Sequence, residues 1–322
     1  MSGDPIVRRL VTAAGTDESA AVDAVEALVK EGGWDALAPA DRALLDQFVA
    51  ARHRVEDPTP VRADGWYAVS TGDPRAVAAE FGAGAWCPVP LRLGAAAWYR
   101  DPDFRLFVSP MVDGWTLVFG DPAPGSPLAA RPSWPGYVEA LSARFGAARW
   151  YYRFEGFSRW ILAERGTVVR DYNNENPDAC VGDPHPAERG HPLPHETLHP
   201  DARIDRIDQV RRTLRDQLFP APERQPPALA EAARDWYAYL LRTAGLAERP
   251  LPDDALTDPG RFDELAAEAY RPLFAELGRD LVSLEPCSVH TVAGRASVDP
   301  YAFGPATAVH GAGLIAFPRG AG

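Results

Sequence analysis

Lysine is nearly absent from this sequence: Lys30 stands alone, and arginine carries almost all the positive charge. With 33 Lys+Arg against 45 Asp+Glu, and a net charge of -12, the chain lacks the cationic surplus that drives non-specific phosphate binding. A general nucleic-acid surface is thereby excluded, and a basic protein or a cationic ligand is the better match. Cysteine is also sparse. Cys87, Cys180 and Cys287 are odd in number and far apart, which predicts reduced thiols rather than a disulfide framework. No run approaches the roughly 20 apolar residues of a membrane span, and the opening MSGDPIVRRLVTAAG has no continuous apolar segment. The expectation is a cytoplasmic protein with no membrane association.

Several chemical fingerprints are missing as well. There is no GxxxxGK[ST] phosphate loop, no GxGxxG after a strand, no GxSxG nucleophile elbow, no HExxH and no paired-cysteine pattern. GAGL at Gly311 is too short, and too near the end of the chain, for a dinucleotide site. No cofactor is predicted.

What is present is a chain rich in Arg, Ala, Gly and Pro, the composition of a GC-rich bacterial genome. At 322 residues and 46% hydrophobic it can bury a substantial core, and at roughly 150 residues per domain it divides into two compact units. Residues 1–60 read as a helical cap. Asp4 and Pro5 start one helix, Asp17 to Gly32 gives a second and Pro39 to His53 a third. Ala21, Val22, Val25, Leu28 and Val29 recur at helical spacing in the second, and Leu44, Leu45, Phe48 and Val49 in the third.

After the linker DPTPVRADG the texture changes to short Trp, Tyr, Val and Phe runs broken by Gly, Pro and Asp, so residues 61–175 read as a sheet domain. Its expected order is strand Trp66 to Ser70, helix Pro74 to Phe81, then strands Ala85 to Leu91, Ala95 to Arg100 and Phe104 to Ser109. A second pass gives strand Trp115 to Phe119, helix Tyr137 to Phe145, then strands Arg149 to Phe154, Ser158 to Glu164 and Thr167 to Tyr172. Both passes read βαβββ. GWYAVSTGDP at Gly65 matches GWTLVFGDP at Gly114, and FGAGAW at Phe81 matches FGAARW at Phe145, in corresponding places. The fold class expected is α+β, with a duplicated βαβββ core, an N-terminal helical cap and a C-terminal helical segment. A parallel doubly wound sheet is the rival, disfavoured by the few long helices between strands. Residues 176–203 form a His/Pro-rich loop. Residues 204–322 resume helical periodicity at Ile204 to Leu218, Pro227 to Gly245 and Arg261 to Gly278, before β-like LVSLEPCSVHTV and GAGLIAFP.

Two consecutive βαβββ units resemble the vicinal oxygen chelate fold of glyoxalases and bleomycin-resistance proteins, over roughly Gly65 to Tyr172. That resemblance implies paired modules around a ligand or metal cavity. Its enzymes place His, Glu or Gln ligands on the cavity strands. The strands expected here contain no histidine, which disfavours a metal enzyme of that family but not a metal-free, ligand-binding version. VSPMVDGWTLVFGDP followed by LSARFGAARWYYRF also resembles uncharacterised bacterial proteins with a similar core, which implies no activity.

Three clusters could carry chemistry. His191, His195 and His199 are spaced four apart beside Glu196, with His185 upstream, and on a helix such imidazoles would share a face and chelate zinc. Pro192, Pro194 and Pro200 oppose a regular helix there, and a solvated loop is the competing reading. Cys287 and His290, with Glu285, Asp299 and His310, supply the residue types of a thiol nucleophile and its base. On a strand Cys287 and His290 would face opposite ways, leaving His310 as the better base. The competing reading is a buried cysteine with turn histidines.

The third cluster runs from Trp150 to Trp160, with Glu164, Arg170 and Asp171 beyond it. Here Tyr151, Arg153, Glu155, Arg159, Glu164 and Arg170 could line a cavity for a planar or cationic ligand. Period two puts Trp150, Tyr152 and Phe154 on an apolar face, and Arg149, Tyr151 and Arg153 on an amphipathic one. A core on one side and a solvated or interface-forming sheet on the other is the plainer reading. Three functions are consistent with these features. The first is a non-catalytic binding or accessory protein, such as an immunity-type inhibitor of a basic toxin. The second is a small-molecule-modifying enzyme or ligand-sequestering protein. The third is a metal- or thiol-dependent hydrolase.

Overall fold

Aspartate and proline set the helix starts of the first fifty residues. In a computed structural model of the chain, which describes residues 4–318 apart from 104, 190, 192, 195–209, 212, 216, 220–226 and 281–286, α1 spans Pro5–Ala13 and α2 Glu18–Lys30. Asp4 caps the first through Ile6 N at 2.7 Å, and Asp17 caps the second through Ala20 N at 3.0 Å, each satisfying an amide the helix leaves open. The short α3 is Gly33–Ala36, and α4 is Pro39–His53. Val7 and Leu10, Val22, Val25 and Leu28, and Leu45 and Phe48 bury the facing stripes of the three longer helices.

The strands are β1 Gly65–Val69, β2 Ala83–Val89, β3 Leu106–Val112, β4 Trp115–Phe119, β5 Ala147–Phe154, β6 Phe157–Glu164, β7 Thr167–Asn173, β8 Val309–His310 and β9 Gly313–Pro318. They form one nine-stranded sheet in the order β2-β9-β3-β4-β1-β5-β6-β7, with β8 paired to β3. Its ladders are antiparallel, and the protein is α+β. Three helices are interspersed: α5 Pro74–Glu80, α6 Leu91–Tyr99 and α7 Trp134–Phe145.

The second unit, β4-α7-β5-β6-β7, keeps the expected βαβββ order. The first does not: the strand expected at Ala95 to Arg100 is part of α6, so that unit reads βαβαβ. Ala95, Ala96 and Ala97 are strong helix formers, and α6 buries Leu91, Leu93, Ala97 and Trp98. Gly94 lets the helix lie against the sheet, since a Cβ there would fall 2.2 Å from the Phe107 ring. The place left in the sheet is filled from the far end of the chain. Ile315 of β9 pairs with Cys87 of β2 on one side and with Phe107 of β3 on the other.

One face of the sheet buries Tyr67, Val69, Val108, Val118, Ala148, Trp150 and Ile161 beneath Val77 of α5 and Val138 and Leu141 of α7. The opposite face carries Trp66, Phe107, Phe119, Tyr151, Trp160 and Tyr172, all buried. Against it lie α6 and a helix, α10, at Val289–Ala296. That helix corrects the β-like reading of LVSLEPCSVHTV: Ser288 caps it by accepting from Thr291 N at 3.0 Å, while residues 281–286 lie outside the described residues.

The chain divides into two compact units, Met1–Gly190 with Cys287–Gly322, and His191–Pro286. The second contains α8, Pro227–Thr243, and α9, Pro259–Asp280, around a core of Leu214, Trp236, Leu240, Phe262, Leu265 and Ala269. Among the described residues, no helix is long and apolar enough to cross a membrane.

Candidate functional site

Alternation along three neighbouring strands builds an aromatic wall. Trp150 of β5 stands opposite Tyr67 of β1 and Ile161 of β6, so Trp150, Tyr152 and Arg159 share the face covered by α7. On that face the rings form a ladder. Trp134, at the start of α7, stacks on Trp150 at 5.0 Å and 14°, and Trp150 stacks on Tyr152 at 5.7 Å and 12°. Phe157 meets Tyr152 edge-on at 5.6 Å. Gly65 makes room for the ladder, because a Cβ there would sit 2.9 Å from the Tyr152 ring.

This wall lines a cleft of about 880 Å³ that also reaches Trp98, Tyr99 and Tyr301 at the ends of β1 and β4. The volume suits a small organic ligand. Its charges are lopsided: Asp64, Asp103 and Asp121 face a single guanidinium, Arg62. Among the described residues, none of the three carboxylates has a hydrogen-bonding or ion-pair partner. Asp121 is open to the cleft mouth, yet the protein around it withholds water and Asp103 adds like charge, so its carboxyl is raised above the usual value.

Two polar atoms in the lining have no partner. Tyr67 Oη and Trp98 Nε1 are buried without a hydrogen bond, although both residues border the cleft. Burial, and then the charge of Asp121, push the Tyr67 phenol well up, keeping it protonated and able to donate. Leaving buried donors unpaired costs about 1–3 kcal/mol each.

Two smaller clefts, of about 230 Å³ each, contain no Trp, Tyr or Phe. Some of their charges are paired, as Arg52 with Glu56 and Arg92 with Glu18, and neither has an aromatic wall.

The residues expected to bind ligand are split between the two faces. Arg159 alone lies on the ladder face, 5.9 Å and 6.0 Å from the Trp134 and Trp150 rings, and it is held by Asp171 at 2.8 Å and 3.0 Å. Tyr151 is buried on the opposite face, bonded to Ser297 Oγ at 2.8 Å. Arg170 is locked to Glu188 at 2.9 Å, and Glu164 pairs with Arg149 at 3.0 Å. Arg153 and Glu155 are exposed at the β5–β6 turn, where Glu155 has φ 44. The cleft opens on the apolar face instead, through Trp150 and Tyr152. Their partner Trp134 comes from the start of α7, and Asp103 and Asp121 come from loops with no local signal of their own.

Cys287, His290 and His310 do not assemble. Burial and then Glu188 push the Cys287 thiol up to about 11, away from the thiolate a nucleophile needs. Among the described residues, no hydrogen bond joins it to an imidazole. His290 Nδ1 is bonded to Asp299 Oδ1 at 3.0 Å, and its ring lies against Trp66 and Tyr301. The pair thus supports Tyr301, a cleft residue, from behind. His310 is exposed on β8 opposite Met111. Of the zinc candidates, His195 and His199 lie outside the described residues, and among the described residues no three potential ligands converge around His191 or elsewhere.

No family model, curated protein or solved structure matches the chain.

Proposed function

We propose that the protein is a non-catalytic binding protein whose cleft takes a small, flat organic cation. The observation that carries this reading is the coincidence of a stacked aromatic wall with three unpaired carboxylates in one cleft of about 880 Å³. Aromatic faces attract cations by about 0.5–1 kcal/mol at exposed sites and about 2 kcal/mol or more when desolvated. Arg159, resting over Trp134 and Trp150, already uses the ladder in this way from inside the chain. The overall charge of -12 adds a long-range attraction for the same ligand class.

Trp134 is the natural reporter because it is 46% exposed and stacked on the ladder. Tryptophan emission is to be titrated with matched aromatic cations, anions and neutral compounds. Saturable quenching by cations, lost in Trp134→Ala, is expected. Equal response to anions, or no saturable response to any compound, removes the reading.

A further inference from the structure

The cleft separates two kinds of hydrogen-bonding group, and that separation says more about the ligand than its charge. The carboxylates of Asp121 and Asp103 accept hydrogen bonds, whereas the buried Tyr67 Oη and Trp98 Nε1 offer donors, with the phenol oxygen also able to accept. A quaternary ammonium would need only the ring faces and would leave all of these groups unanswered. We infer that the ligand bears its charge on a nitrogen carrying hydrogens, as in an amidinium, guanidinium or primary ammonium group, and that Asp121 receives those hydrogens beside Tyr67. The inference rests on the reading of the cleft as a cation site and narrows it to one chemical class.

The surroundings of Asp121 fit this role. The charged and titratable groups facing the cleft with it are Arg62, Asp64, Asp103, Tyr67, Tyr99, Tyr152 and Tyr301. Tyr137 lies near enough to Tyr67 to add to the rise of its phenol, after burial and Asp121. The one cation among them is Arg62, and among the described residues no ion pair joins it to Asp121. An N–H cation arriving at Asp121 thus meets two carboxylates that, among the described residues, hold no ion pair. Its positive charge offsets the burial, and then the Asp103 charge, that raise the Asp121 carboxyl, so binding favours the ionised form of that group.

The test uses the whole chain, with three probes of one shape: benzamidine, phenyltrimethylammonium and neutral benzamide. At pH 7.5 benzamidine should bind at least about tenfold more tightly than either of the others, the ratio that one charge-assisted hydrogen bond supplies. Asp121→Asn should abolish most of that preference, weakening benzamidine by about tenfold more than it weakens phenyltrimethylammonium, which loses only the attraction of one charge. Benzamidine affinity should rise with pH as Asp121 ionises, and Asp121→Asn should flatten that rise. If Asp121→Asn fails to fold, as judged by circular dichroism, Asp103→Asn and the pH profile of the unaltered chain serve instead. Equal binding of the two cations, or a benzamidine preference untouched by Asp121→Asn, overturns the inference and leaves the cation cleft standing. Failure of both cations to bind overturns the cleft reading along with it.

Discussion

Glu188 accepts from Arg170 Nε at 2.9 Å inside the protein, with the two side chains 2% and 5% exposed. The same oxygen accepts from Trp160 Nε1 at 2.6 Å, and the other accepts from His185 N at 3.0 Å. One carboxylate therefore fastens the segment after β7 to the sheet. Removing it strands a buried guanidinium, so Glu188→Ala should cost about 3–5 kcal/mol. Glu188→Gln retains an acceptor for Trp160 and should cost less. Urea unfolding followed by circular dichroism measures both, and an unchanged midpoint in Glu188→Ala would show that the pair contributes nothing net.

The same segment makes stability depend on pH. His185 Nδ1 accepts from Ala187 N at 3.2 Å, a bond that an imidazolium cannot make. Burial, and then Arg149, lower the basicity of His185, and burial lowers that of His53. The unfolded chain therefore binds more protons than the folded one as pH falls below the ordinary imidazole value of 6.5. Stability rises with pH wherever that holds, so it is fully present above about 6.5 and declines as pH drops through that value. Midpoints at pH 7.5 and 5.5 should differ in this direction, and His185→Asn together with His53→Gln should shrink the difference.

Trp134 and Trp150 stack on each other but should respond differently to truncation. Trp134 is 46% exposed, and Trp134→Ala should change stability by less than about 0.5 kcal/mol while weakening cation binding. Trp150 is 4% exposed and lies in the core, so Trp150→Ala should cost about 3–5 kcal/mol. Paired unfolding and titration curves separate the two. A large stability loss in Trp134→Ala would assign that ring to the core.

Thiol chemistry should follow burial. Cys87 is pushed up to about 12 and Cys287 to about 11, and both are buried, whereas Cys180 is partly exposed. Iodoacetamide at pH 8 should label Cys180 in the folded protein, and the other two only after unfolding. Rapid labelling of Cys287 in the folded chain, read by mass spectrometry, would reopen the case for a catalytic thiol.

Much of this architecture could be read from residues alone. The run from Arg149 to Tyr172 alternates cleanly, and Gly156 and Gly166 mark its turns, so three strands and their two faces were visible. α6 was not, because Ala95 to Tyr99 combines helix-forming alanines with a Trp-Tyr pair typical of strands. Packing against Phe107 decides the contest. α10 was hidden because Ser288 reads as a cap only if the following HTVAGRA is taken as helical. The faces of β5 were separable by counting, but which face opens to solvent was not. That depends on Trp134 arriving at the start of α7 and on Asp103 and Asp121 arriving from two separate loops.

The seat of β9 between β2 and β3 imposes an order on synthesis. Until Gly313–Pro318 leaves the ribosome, Ala83–Val89 and Leu106–Val112 have no partner between them. Each then carries an unsatisfied ladder edge, in β3 one with Leu106, Phe107 and Val108, the kind of edge that recruits foreign strands. The nascent chain must keep those edges from other molecules for the whole time taken to make the intervening two hundred or so residues, at roughly 5–20 residues per second. A chain cut before Gly313 thus keeps an open sheet between β2 and β3, and its fate is aggregation or proteolysis, whatever the condition of the cleft.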